Sequence, residues 1–380
     1  MGKIDDMIKK YGDVPKVKFD EICDFRNGYT PSKSNSSFWD NGSIPWYRME
    51  DIRIQGRILS EAKQYITENA IRGKGLFKAN SIILATTATI GEHALLTVDA
   101  LANQRLTNIQ IKTKYEDRLL SKFLFYYMFV IDEWCKQNTN ISGFASVDMQ
   151  KLKSLLIPLP PLEVQEEIVS VLDHFSQLQS ELEEELLMRE KQFEYYRELL
   201  LTPKNDWKEC KLGDFLNPLR GKRLTKKQLD DSNIYPVYHG GLEPIGYYDK
   251  SNREKDTVMI INVGASAGTV GYSDKDFWSS DGCFCLSKNN DLNTRFVYFY
   301  LQLNEKSIKS KVRVAGIPTL DSSAIMNIDF SFPPIDEQKR IVGILDKFDK
   351  LINDKNEGLQ KEIELRKKQY EYYRNKLLTF

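Results

Sequence analysis

Long apolar runs are missing from this 380-residue chain. The longest, Phe123 to Ile131, falls far short of the roughly 20 residues a membrane span requires. The opening MGKIDDMIKKYG has no apolar stretch of the kind a secretory leader needs, so the chain is expected to stay in the cytoplasm. Cysteine is scarce: Cys23, Cys135, Cys210, Cys283 and Cys285 are odd in number and form no CxxC pair, which points to buried free thiols and away from a disulfide framework or a zinc site. Three histidines, His93, His174 and His239, are too few and too scattered for a metal centre. GxSxG and GxxxxGK[ST] are absent. An adenine methyltransferase would need an Asn/Asp-Pro-Pro-aromatic motif and a glycine-rich cofactor loop, but the only Pro-Pro pairs lie in Leu159-Pro160-Pro161-Leu162 and Phe332-Pro333-Pro334-Ile335 and read as helix starts. Gly264, Gly268 and Gly271 lack phosphate-binding spacing and read as a tight loop. Acid pairs such as Asp230-Asp231 sit in polar turns and read as solvated. No active site, metal or cofactor is expected.

An excess of one charge is also missing, because 54 Lys/Arg balance 54 Asp/Glu. The balance is regional, however. Residues 14–157 carry 19 basic against 15 acidic residues and 204–332 carry 18 against 16, whereas 158–203 carry 3 against 11 and 333–380 carry 11 against 9. One acidic segment therefore masks two mildly basic ones.

What is present is an internal repeat. Pro160-Pro161-Leu162-Glu163-Val164-Gln165-Glu166-Glu167-Ile168 returns as Pro333-Pro334-Ile335-Asp336-Glu337-Gln338-Lys339-Arg340-Ile341 at an offset of 173, and Lys191-Gln192-Phe193-Glu194-Tyr195-Tyr196-Arg197 returns as Lys368-Gln369-Tyr370-Glu371-Tyr372-Tyr373-Arg374 at 177. Upstream, Phe123, Tyr126 and Tyr127 meet Phe296, Phe299 and Tyr300, and Gly143, Ser146 and Asp148 meet Gly316, Thr319 and Asp321, both at 173. Lys18, Ile22 and Gly28 meet Lys211, Phe215 and Gly221 at 193. The interiors between these markers agree far less. A shared frame with a divergent interior suits one fold asked to recognise two different things.

The short, partly β-branched runs 81–85 and 257–262 predict buried strands leading into loops of small residues, and 119–136 and 293–304 have helical spacing. Each repeated half is then a mixed α/β domain. Beyond each Pro-Pro pair the spacing predicts a long continuous helix. Its seams are Ile168, Val171, Phe175, Leu178, Leu182 and Leu186, Arg189, Phe193, Tyr196, Leu200 in one copy, and Ile341, Ile344, Phe348, Leu351, Lys355 and Arg366, Tyr370, Tyr373, Leu377 in the other. Lengths of about 60 and 68 Å follow at roughly 1.5 Å per residue, with the change of offset giving the second helix one extra turn, near the weak point Gly358. Opposite charge balance favours an intramolecular antiparallel pair. The expected fold class is α+β: two mixed α/β domains separated by two long helices forming an antiparallel coiled coil, with an internal pseudo-two-fold repeat. The expected divisions are an N-terminal segment 1–13, domains at 14–157 and 204–332, and helical regions at 158–203 and 333–380.

This duplicated frame resembles the specificity subunit of type I restriction-modification systems, over essentially the whole chain after about residue 14. The resemblance implies two target recognition domains, each reading one half of a split site in double-stranded DNA, and conserved helical regions that act as spacer and dock modification methyltransferase subunits, two in number. Restriction/translocase subunits join the larger complex, and no membrane is involved. It also implies a non-catalytic chain. A related bipartite system, in which methyltransferase and nuclease are fused on the partner, fits the same residues. A coiled-coil scaffold joining two protein-binding domains, or an enzyme with a degenerate site, would be the rival classes. Two half-sites on one DNA face lie about 34 Å apart per helical turn, so a helical spacer of this length is a reasonable ruler. Base readers are sought among polar side chains in loops: Lys33, Arg48, Arg53, Arg57, Thr86, Thr87 and Arg105 in the first domain, and Arg220, Lys222, Arg223, Lys226, Lys227, His239 and Ser266 in the second. Gly143, Ser146 and Asp148, with their counterparts, read as a structural turn.

Overall fold

The computed structural model describes residues 6, 14–140, 145–354 and 357–380; the expected N-terminal segment 1–13, apart from Asp6, and Gly143 lie outside them. The chain divides into two compact units. The first takes residues up to Glu181 together with Glu364–Phe380, and the second Leu182–Ile363.

In the first unit, strands β1 (Cys23–Asn27), β2 (Ile58–Leu59), β3 (Ile82–Ala85), β4 (His93–Leu96) and β5 (Leu106–Ile111) form one sheet in the order β1-β5-β3-β4-β2. Helix α1 (Ser121–Gln137) packs on one face. The start of α2 (Leu162–Leu201) joins the same core through Val164, Ile168 and Leu172. In the second unit, β6 (Pro218–Arg220), β7 (Thr257–Ile261), β8 (Val270–Ser273) and β9 (Cys283–Leu286) pair in the order β6-β9-β7-β8, with α3 (Thr294–Leu303) on the sheet. The order is that of the first unit without its fifth strand. A small three-stranded sheet accompanies each, one antiparallel and one parallel pairing: Ile44–Tyr47 between Tyr65–Ile66 and Leu101–Ala102, and Tyr235–Tyr238 between Tyr247–Tyr248 and Trp278–Ser279.

The expected buried strands are β3 and β7, and their continuous apolar character has a plain cause. Alternate residues enter different cores: Ile82 and Leu84 meet the helix-side core while Ile83 and Ala85 meet the core under the small sheet, and Val258 and Ile260 part from Met259 and Ile261 in the same way.

Both Pro-Pro pairs lead directly into helices, α2 and α4 (Ile335–Asn353). A buried glutamine one turn in fastens each helix to its domain. Gln165 Nε2 donates to Arg118 O at 2.8 Å and Pro160 O at 2.7 Å, and its Oε1 accepts from Leu120 N at 2.9 Å. Gln338 repeats this with Asp291 O at 3.0 Å, Pro333 O at 2.8 Å and Asn293 N at 2.8 Å. Three hydrogen bonds satisfy a fully buried amide and close the loop before α1 or α3 against the helix start.

One expectation fails. The first helix is continuous over 40 residues, but the second is two helices, α4 and α5 (Leu359–Leu377), each of 19 residues. The four extra residues of the second copy fall between them, since 353 matches 180 and 359 matches 182. They break the helix rather than lengthen it by a turn. Asp354 leaves helical geometry at ψ 125, its carboxylate accepts from Glu357 N at 3.0 Å, and its carbonyl accepts from Gly358 N at 2.9 Å. Gly358 fits because a Cβ there would lie 2.6 Å from Asp354 N.

Within each unit the helices pair through the expected seams. Phe175 stacks on Tyr373 in the first (centroids 5.4 Å, 29°), and Tyr196 stacks on Phe348 in the second (5.4 Å, 25°). These four residues are the same pair twice, because Phe175 matches Phe348 and Tyr196 matches Tyr373. In the first unit α2 and α5 run antiparallel: Ile168 and Leu172 share a core with Leu377 and Leu378, and further along α2 Phe175 meets the earlier Tyr373.

Candidate nucleic-acid interface

At one edge of each domain several loops are tied together. In the second, Gly221 follows β6 where a Cβ would lie 2.1 Å from Ser280 O, so only glycine allows this crossing. Lys222 N donates to Ser279 O at 2.9 Å and Trp278 Nε1 to Lys222 O at 2.6 Å, which holds Arg220 to Arg223 along the small sheet. Ser280 N donates to Tyr238 O at 3.0 Å, placing His239 beside Asp281, with Nδ1 at 3.3 Å from its carboxylate. Asn262 N donates to Gly282 O at 3.2 Å and brings in the loop carrying Ser266. Arg220, Lys222 and Arg223 are exposed on this edge, and Ser266 and His239 half-buried. Lys226 and Lys227 are exposed on a single turn, Lys226–Gln228, capped by Thr225.

The first domain repeats the edge. Gly28 takes the place of Gly221, with a Cβ position 2.2 Å from Ala102 O. Thr30 Oγ1 donates to Gln104 Oε1 at 2.6 Å, and Thr86 N to Arg105 O at 3.1 Å, so the Lys33 loop, Arg105 and the 86–91 loop converge. The counterpart of the 86–91 loop is one residue longer but also carries two left-handed residues, Gly264 (φ 92) and Gly268 (φ 87) against Ala88 (φ 66) and Gly91 (φ 80), and closes in the same way, Gly91 N donating to Ala85 O and Gly268 N to Ile261 O. Ala88 bears a conformation costly for a residue with a Cβ, a feature that gathers at functional loops. Thr87 half-faces solvent and bridges Ser146. Asp148 caps the short helix Met149–Lys153 by accepting from Gln150 N and Lys151 N, so its role is a structural turn.

Not every candidate reaches this edge with a free side chain. Thr86 is buried, and its hydroxyl lies 3.1 Å from that of Thr107, which donates to Asn27 at 2.8 Å. This chain of short polar groups braces the loop from beneath. Arg48 is ion-paired with Glu50 beside its helix start, while Arg53 is more exposed, 3.8 Å from Glu92. Arg57 is committed elsewhere: its guanidinium donates to Asp132 at 3.2 Å and to His93 O at 3.1 Å and lies 4.7 Å from the centre of the Phe129 ring. Gln104, exposed beside Arg105 and able to donate and accept, carries no charge to mark it in the sequence; its place two residues before β5 is the available signal.

The edge presents exposed cations beside small polar side chains. Among the described residues no three His, Cys, Asp or Glu side chains could hold a metal together. Their helices include none long and apolar enough to cross a membrane.

The family model of the type I restriction modification DNA specificity domain matches residues 11–189 and again 204–365. The chain belongs to this family. It is a specificity subunit, the non-catalytic class of type I restriction-modification component. It is 39% identical over 362 residues to the type I restriction enzyme EcoprrI specificity subunit of Escherichia coli, covering 90% of this chain and 89% of that one. A putative type I restriction enzyme specificity subunit of Haemophilus influenzae is 34% identical over 297 residues, covering 70% of this chain and 74% of the relative. The fold is shared with a solved structure, the type I restriction-modification S subunit from M. genitalium, at a TM-score of 0.66, 19% identity and coverage of 97% and 96%.

Proposed function

We propose that this specificity subunit reads a bipartite site in double-stranded DNA, the domain at 14–157 reading one half and that at 204–332 the other, with the helical regions 158–203 and 333–380 setting the spacer and docking two methyltransferase subunits. The observation that carries this is one architecture built twice with different side chains at the same loops: Thr86-Thr87-Ala88-Thr89-Ile90 stands where Asn262-Val263-Gly264-Ala265-Ser266 stands in the other domain. Equal frames give equal ways of approaching a duplex, and unequal loops give unequal sequences read. Lys33, Arg53, Gln104 and Arg105 are the readers or phosphate contacts proposed for the first domain, and Arg220, Lys222, Arg223, Lys226, Lys227, His239 and Ser266 for the second, with Thr87 at the loop base.

Two docked copies of one partner are supported by a second repeat. Met188 and Tyr195, seven residues apart on one face of α2, are 60% and 62% exposed, and their equivalents Leu365 and Tyr372 on α5 are 51% and 61% exposed. Exposed apolar pairs at equivalent positions suit a partner that binds twice. Restriction/translocase subunits would join the same assembly, working in the cytoplasm where the chromosome lies.

The test is methyl transfer to DNA by the chain alone and with separately purified methyltransferase subunits of its own system. The expected result is modification at a two-part motif only when both are present. Transfer by this chain alone, or none by the mixture at any duplex sequence, contradicts the proposal.

A further inference from the structure

Residues 306–318 of the second domain have no part in the interface described so far. They run Lys-Ser-Ile-Lys-Ser-Lys-Val-Arg-Val-Ala-Gly-Ile-Pro, four cations in the first eight positions with no acid, then an apolar tip around Gly316. The tip is a tight hairpin. Arg313 and Thr319 exchange hydrogen bonds, N to O at 2.9 and 3.0 Å, and Gly316 takes φ 89. At its summit Val314 is 79% and Ile317 70% exposed, two large aliphatic side chains presented together on one turn. The turn is fixed to the recognition edge: Gly264 N donates to Pro318 O at 2.9 Å and Leu320 N to Asn262 O at 2.9 Å. Lys306, Lys309, Lys311 and Arg313 are all exposed along the approach, with Lys309 paired to Glu305 and Arg313 to Asp321.

The apolar tip also recurs in sequence. Ile141-Ser142-Gly143-Phe144-Ala145 matches Val314-Ala315-Gly316-Ile317-Pro318 at the offset of 173, directly before the repeated Ser146/Asp148 and Thr319/Asp321. A feature common to domains with different loops serves something common to both half-sites. The basic approach is not shared, since residues 133–140, EWCKQNTN, carry one acid and one cation.

We propose that residues 306–318 form a DNA-anchoring arm, in which the cations meet phosphates and Val314 and Ile317 pack into the adjacent groove against sugars and base edges. The arm positions the duplex and does not choose its sequence. Its occupant is duplex DNA because the approach carries four exposed cations, of which Lys306 and Lys311 lie outside the ion pairs with Glu305 and Asp321, and the turn is hydrogen-bonded to the candidate recognition loop itself. Apolar side chains at a groove are an established way of holding a duplex without a hydrogen-bond code. The inference rests on the DNA-reading proposal above.

The experiment uses the full chain assembled with its methyltransferase subunits and a duplex bearing the motif that the assembly modifies, with affinity measured by anisotropy across a salt series. V314S/I317S is expected to bind about tenfold more weakly, with an unchanged slope of log affinity against log salt, because apolar contacts release no counterions. K306A/K311A is expected to flatten that slope by about 1 to 2. The conservative V314I/I317V keeps wild-type affinity, and the modified motif is the same for all variants. Binding of V314S/I317S within twofold of wild type overturns the arm. So does loss of the methyltransferase subunits from that variant on size exclusion, which would make the tip a protein contact. If the wild-type assembly itself fails to bind the duplex, the DNA-reading proposal falls, and this one with it.

Discussion

The two units solve one joint in different chemistry. Where the first domain meets its helix, Lys122 pairs with Asp173 at 2.6 Å, both partly exposed, and Tyr126 donates to the same carboxylate at 2.6 Å. At the equivalent place in the second unit stands Arg295, paired with Asp346 at 2.7 Å and with Asp349, and lying 4.7 to 4.9 Å from the ring centres of Tyr272, Tyr298 and Phe299. A planar, half-desolvated cation among aromatic faces gains from stacking and from two carboxylates, whereas an exposed lysine pair gains little. Further along the domain helix the contrast reverses. Asp132, its buried oxygen bonded to His93 Nδ1 at 2.6 Å and to Arg57, gives the first unit a charged centre, and the ring of Phe129 nearby lies 4.7 Å from Arg57 and 4.1 Å from Arg374. The second unit has Val270 in the place of His93, with Glu305 accepting from its backbone at 3.0 Å, and Gln302 accepting from Arg197 at 3.0 Å. A duplicated frame thus keeps its joints and exchanges the forces in them.

The comparison can be broken at three points. R295A leaves two carboxylates without their cation and should cost the second unit about 3 kcal/mol, against about 0.5 kcal/mol for K122A in the first. Opening free energies from native-state hydrogen exchange in β7 and β3 would check this, and equal losses would show the two joints to be equivalent after all. Next, acidification just below about pH 6.5 should act on the first unit more than on the second. Burial holds the His93 pKa below its ordinary value, so the unfolded chain binds a proton that the folded unit refuses. The stability this represents is present above the unfolded pKa of about 6.5 and is lost below it, by about 1.4 kcal/mol per pH unit. H93Q should flatten the response of β3 and β4, and an equal acid response in β7 and β8 would rule His93 out as its source. The smallest difference between the units is expected at the glutamine fasteners, where Q165A and Q338A should each cost about 2 kcal/mol and do so equally, since their partners are equivalent backbone atoms. A difference of more than about 1 kcal/mol would mean that the repeat diverges even there.

The frame was legible in the sequence because its determinants are local and repeated: Pro-Pro at the helix starts, seam residues that meet as Phe175 with Tyr373 and Tyr196 with Phe348, and glycines at the two crossings. The break at 354–358 was half legible. The shift of offset announced four residues, but polar residues carry no sign of whether they extend a helix or interrupt it; the helix leaves its geometry at Asp354, whose carboxylate accepts from Glu357 N. The interface was legible only as a set of loops. Arg57, directly before β2, turns its side chain into a buried network through a histidine and an aspartate distant in sequence, and Thr86, directly after β3, is held beneath its loop by Thr107. Side-chain direction at a loop depends on such partners, and composition does not report them. Gln165 and Gln338 were visible as repeated residues, while their function needed the carbonyls they join.

The most direct test of the central claim, that two equivalent frames read two different half-sites, is the map of modified adenines produced by the assembled complex, compared with that of a chain whose 262–268 loop carries the residues of the 86–92 loop. The proposal predicts a two-part motif in which the substitution changes one half and leaves the other half and the spacer as they were. A single unbroken motif, or a change in both halves, would contradict it.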